Sequence, residues 1–185
     1  MNAIIEDPLA QGIVLQATLP MRWRVLDAPL DEHHLMLMND RNESTLRLVH
    51  ALGSYHVDVV ADDSPGTTPE LAHLQFKVDL ILEMVGELLA KQVQMPEQCS
   101  LRMTSSGLEW SDPSPPPQDS SLLVELYLSL QCPRGIDVPA RVVRVDESGS
   151  LAVSFESLGE PVKEWLERVI FQHHRREVAQ SRQSR

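Results

Sequence analysis

Positive charge is scarce in this chain: 16 lysines and arginines stand against 27 aspartates and glutamates in 185 residues, a formal net charge of −11. That deficit argues against a nucleic-acid polymer as partner, because such binders draw affinity from neutralising phosphates. A small anionic ligand stays open, since a few local arginines can dominate one pocket. Cysteine is scarce too. Cys99 and Cys132 are the only two, too few for a disulfide framework and without metal-ligand spacing. They read as reduced core thiols, with one bridge at most. No apolar run approaches a membrane span, and the start, MNAIIEDPLAQG, lacks the basic residues and apolar stretch of a signal peptide. The expected location is the cytoplasm. A glycine-rich phosphate loop, a nucleophile elbow and paired acids in a pocket motif are all missing, so no enzymatic activity is expected. The neighbours His33-His34 and His173-His174 diverge by about 100° on a helix and lack acidic or cysteine partners at ligand spacing, so neither a metal nor a bound cofactor is expected.

Apolar residues make up 42% of the chain, enough for a packed core in one domain with a large insertion or in two small domains. Residues 13–26, IVLQATLPMRWRVL, alternate around Leu19, Met21, Trp23 and Val25 and read as a strand with Pro20 as a point of interruption. Between residues 31 and 60 the period changes. Leu35, Met38, Thr45, Val49, Leu52 and Val59 recur at steps near three and four, a helix signature with Asn42 and His56 on the same stripe. Asn42 has two readings, a polar residue fixing helix register or a solvated bundle edge. ADDSPGTTP, residues 61–69, is a loop by composition, and Thr68, Pro69 and Glu70 form a helix start. Leu71, Leu74, Val78, Ile81, Val85 and Leu88 then fill every a and d position of three heptads. Phe76, Leu80 and Met84 form a second apolar row, more than one partner helix can cover. Self-association through this segment follows, as a tetramer ahead of a dimer.

From Cys99 to Phe155 the period is two. CSLRMT, GLEW, LLVELYLSL, IDVPARVVRV and LAVSFE read as successive strands with turns between them. Short antiparallel strands at this spacing predict a small barrel. A last helix begins near Glu160, with Val162, Trp165, Leu166, Val169 and Ile170 on one face and a polar, fraying tail past Arg175.

The turn TSSGLEW, the strands LLVELYLSL and ARVVRV, and the run SLAVSFESLGEPVKEWLERVI together resemble the PilZ domain family, as an atypical member of the oligomeric xanthomonad type with inserted long helices. The resemblance implies an α+β fold: a six-stranded antiparallel β-barrel with an inserted helical hairpin and a C-terminal helix. The expected organisation is a first barrel strand at 13–26, an inserted oligomerisation hairpin at 31–94, barrel and helix at 97–177, and a tail at 178–185. It also implies a ligand, cyclic di-GMP, held by an arginine pair spaced RxxxR and by Asp or Asn, x-Ser-x-x-Gly at a turn. Aligning Gly107 with the motif glycine puts Thr104 at the serine and Arg102 at the Asp/Asn position. Arginine there removes an acceptor that a guanine N–H needs. No two arginines are spaced RxxxR; Arg22 and Arg24, two apart, are the nearest pair and share one strand face. Losing two charge-assisted contacts at roughly 1.5–3 kcal/mol each removes most of the affinity. The expectation is therefore a non-enzymatic signalling oligomer with weak or no cyclic di-GMP binding, acting through a signalling protein in motility, pilus function or virulence. The alternatives are a true receptor using Arg22, Arg24, Arg102 or Arg141, and a coiled-coil scaffold whose barrel presents a partner surface.

Overall fold

The computed structural model describes residues 8–10, 12–61, 69–92, 94–129 and 132–183. In chain order the elements are β1 (Leu15–Val25), α1 (Glu32–Ala61), α2 (Pro69–Gln92), β2 (Gln98–Met103), β3 (Gly107–Ser111), β4 (Ser121–Leu126), β5 (Ile136–Val145), β6 (Ser150–Phe155) and α3 (Glu160–Gln183). The six strands close an antiparallel barrel in the order β1-β2-β3-β6-β5-β4. Both long helices lie between β1 and β2, the insertion that the change of period predicts. Most of the loop read at 61–69, the Thr68 cap and most of the N-terminal dozen lie outside the described residues.

Closure depends on β1 serving two neighbours. It pairs with β2 through Pro20↔Gln98 and with β4 from Met21↔Leu126 onward. Pro20 does not interrupt the strand. It stands where the partner changes, so its missing N–H interrupts no ladder, while its carbonyl accepts the Tyr127 N–H at 3.1 Å. Alternate residues of all six strands point inward. Leu15, Leu101, Met103, Leu108, Leu122, Leu126, Ile136 and Leu151 are all buried and fill the barrel. Strand β4 ends at Leu126, short of the apolar run LLVELYLSL, and Tyr127 and Leu128 are buried beyond its end.

Helix α3 plugs the barrel with Val162, Leu166, Val169 and Ile170, all buried. It runs to Gln183, beyond the tail read from the sequence. REVAQSRQ has neither glycine nor proline, and polarity alone does not stop a helix. Helix α1 starts at an Asp31 cap, whose Oδ1 accepts the His34 N–H at 2.8 Å. Its packed neighbours are α3 and β5. Leu46 and Val49 enter the core, and His50, Arg47 and Arg168 surround the Trp165 ring, Arg168 at 4.4 Å from its centroid.

Asn42 fits neither of its sequence readings. It is completely buried, and its amide grips the β5 backbone: Nδ2 donates to the Asp137 carbonyl at 2.6 Å and Oδ1 accepts the Asp137 N–H at 3.0 Å. β6 pairs with β5 only from Ala140 onward, so Asn42 completes a strand edge that would otherwise be bare. One turn earlier, Asn39 donates to the Ser157 carbonyl and accepts the Gly159 N–H, fastening the loop before α3.

Candidate ligand face and assembly helix

The turn between β2 and β3 is built by Thr104. Its Oγ1 accepts the Ser106 N–H at 3.1 Å, its own N–H donates to the Gly107 carbonyl at 2.9 Å, and its hydroxyl donates to the Pro8 carbonyl at 2.8 Å. Thr104 is 1% exposed. A Cβ on Gly107 would overlap the Val153 carbonyl oxygen and the Pro8 ring. The glycine is thus required by backbone approach.

Arg102 points outward beside this turn and pairs with Glu109 at 3.1 Å across β2–β3. Glu109 also accepts from Arg144 at 3.4 Å and from the Ser150 hydroxyl at 3.4 Å. Strict alternation along β5 would turn Arg144 inward. The register shifts between Val142 and Arg144, however, and this bulge aims Arg144 at the outer face. Arg141, on the same outer face, pairs with Glu156 at 2.6 Å. A groove of about 540 Å³ runs along this face, lined by Gln16, Thr18, Ser100, Arg102, Glu109 and Ser150 among others.

The structure does not bring Arg22 and Arg24 to that groove. Arg102 is registered opposite Gln16, and Arg22 lies six residues further along β1, about 20 Å at strand spacing. Both arginines are exposed with half-buried Trp23 between them, so they share a face, but it is the β4 side of the barrel. There the Arg22 Nε donates to Glu125, whose carboxylate also accepts the Tyr127 hydroxyl at 2.6 Å. Burial pushes the Glu125 carboxyl up, yet the bonds from Arg22 and Tyr127 outweigh it and leave it below its ordinary value. Burial and the Glu125 bond push the Tyr127 hydroxyl up to about 12. Asp137, opposite Glu125, is raised by burial despite Arg41 at 3.6 Å. All five of Arg22, Arg41, Arg102, Arg141 and Arg144 already hold carboxylates. Cys99 and Cys132 are free thiols, and among the described residues no group of His, Cys, Asp and Glu could hold a metal.

Helix α2 has the opposite character. Among the described residues no element packs along it. Leu74, Val78, Ile81, Val85 and Leu88 are exposed, and so are Phe76, Leu80, Leu82 and Met84. Leu74 is 59% and Phe76 65% exposed, so both apolar rows face out. The Leu71 side chain lies outside the described residues. No helix of the described residues is long and apolar enough to cross a membrane.

The comparison with curated proteins gives no match. Among solved structures, the chain is similar to a pathogenic protein from Xanthomonas campestris, described as a new tetrameric PilZ domain self-assembled via an unusual helical bundle. The two share 22% identity over 92% of each chain, with a TM-score of 0.68, a likeness of fold. A family model described as "Atypical PilZ domain, cyclic di-GMP receptor" matches residues 51–183. With a closed six-stranded barrel, a C-terminal helical plug and that match over most of its length, the chain belongs to the atypical PilZ domain family.

Proposed function

We propose that this protein is a non-enzymatic, cytoplasmic signalling adaptor. It works as an oligomer joined through α2, four chains ahead of two, and binds cyclic di-GMP weakly or not at all. The observation that carries the reading is α2 itself. A helix apolar on more than one face belongs inside a bundle, and among the described residues no element packs along it. Leu71, Leu74, Val78, Ile81, Val85 and Leu88 are the proposed seam, and the helical bundle of the tetrameric Xanthomonas neighbour supports it. On the ligand side, Arg102 replaces the motif acceptor and is held by Glu109. By analogy with the family, the adaptor acts through a signalling protein in motility, pilus function or virulence regulation.

Sedimentation equilibrium of the full chain at micromolar concentration tests the assembly. The expected mass is a multiple of 20.8 kDa, with four chains favoured; 20.8 kDa alone contradicts it. A second reading, a genuine receptor with a non-consensus site, is favoured by the three arginines Arg102, Arg141 and Arg144 on one outer face. Calorimetric titration separates the two. Micromolar cyclic di-GMP binding that disappears when those arginines become alanine selects the receptor.

A further inference from the structure

Ahead of β1, Pro8 closes over the β2–β3 turn. Pro8 and Leu9 are both buried, although Leu9 lies outside the cluster of side chains that fills the barrel. The Thr104 hydroxyl donates to the Pro8 carbonyl, and the Pro8 ring fills the space a Cβ would take at Gly107. A turn of this kind offers a ligand two things, a hydroxyl and a bare glycine face. Here the chain's own N-terminal segment holds both.

Three arginines, each paired with a carboxylate, stand around the covered turn. Gly107 is registered opposite Ser154, and Ser154 opposite Arg141. Its neighbour two residues on, Glu109, holds Arg102 and Arg144. With strands about 4.8 Å apart, Arg141 stands about 10 Å from the turn, on the same outer surface. The side chains of Arg102, Arg141 and Arg144 are each about half exposed, at 52%, 46% and 48%. Ion pairs of such exposed groups are weak, and guanidiniums exchange a carboxylate for a phosphate readily. The cover lies ahead of β1, outside the strand pairing that closes the barrel, and a segment so placed can release locally while the barrel stays folded.

We propose that Pro8–Leu9 is an internal stopper on a latent anion-binding turn. Docked, it denies Thr104 and Gly107 to a phosphate-bearing purine nucleotide. Released, it opens a face on which Arg102, Arg141 and Arg144 converge. The ligand class rests on the family reading above, while the stopper accounts for weak binding by the intact chain.

The test is titration calorimetry with cyclic di-GMP on the full-length protein and on full-length Pro8→Gly/Leu9→Ser, at one salt concentration. At least tenfold tighter binding by the double variant is expected, reversed when Arg102→Ala and Arg141→Ala are added. Equal affinities, or no binding by either protein, overturn the stopper. Leu9→Ser alone is the second variant, should the pair lower the melting temperature. The two claims fail separately. Micromolar binding by the parent contradicts the proposed function, whereas an unmoved affinity in the variants contradicts only the stopper.

Discussion

Asn42 lies wholly buried between α1 and β5, with both ends of its amide on the Asp137 backbone. Removing it strands one N–H and one carbonyl, each costing roughly 1–3 kcal/mol when left unpaired. Asn42→Ala is therefore predicted to lower the unfolding free energy by about 2–4 kcal/mol, read from urea denaturation. A loss below about 0.5 kcal/mol, the usual range for surface changes, would contradict this role. The sequence showed a polar residue in an apolar stripe, but not its partner, because the pairing is 95 residues distant. Asp137 itself gives a pH prediction. Its carboxyl is raised in the folded state, first by burial, so the charged form is the one folding disfavours. The sign follows: its contribution to stability is fully present below the unfolded carboxylate range and is lost as pH rises through the folded value. Asp137→Asn is expected to raise the urea midpoint at pH 7, and the advantage to vanish near pH 3. An equal or larger advantage at pH 3 would contradict the assignment. Glu125 and Asp31, both lowered, act in the opposite sense and lose their contribution as pH falls through their folded values.

Among the elements, the strands were the most legible. The period-two runs IDVPARVVRV (136–145) and LAVSFE (151–156) coincide closely with β5 and β6, because each buries one face and turn residues bound it. Local pattern could not reveal that β1 divides itself between β2 and β4, which is a property of barrel closure. Nor could it reveal the bulge that turns Arg144 outward, since register is fixed by the partner strand. The candidate site was legible only as residue types. Arg102, Thr104 and Gly107 do stand together around one turn, while Arg22 and Arg24 occupy the β4 side. Glu109, the carboxylate that holds Arg102 and Arg144, carried no sequence signal of its own. Glu109→Gln should free both guanidiniums and strengthen phosphate-bearing ligands severalfold by calorimetry. Unchanged affinity would mean that this ion pair does not limit access. Helix α3 provides the stability counterpart. Leu166 is fully buried in the barrel mouth, and Leu166→Ala should cost about 2–5 kcal/mol in the same denaturation assay. A cost under 1 kcal/mol would mean that α3 does not close the barrel.

For the whole molecule, the contrast between its two halves governs the account. The barrel buries its apolar side chains within one chain, whereas the described leucine, isoleucine, valine, methionine and phenylalanine side chains of α2 are exposed. Burying Leu74, Val78, Ile81, Val85 and Leu88 at roughly 1.5–3 kcal/mol each sets an upper bound near 7–15 kcal/mol per chain before ordering costs. That is ample to hold a bundle together. An acidic chain with −11 net charge would assemble against its own repulsion, so the proposed seam has to be apolar, and its residues are. Light scattering on the parent beside Val78→Asp/Ile81→Asp measures this most directly. The account predicts a parent of several chains and a variant that falls to a single folded chain, its barrel intact by circular dichroism. Equal masses for the two proteins would contradict it.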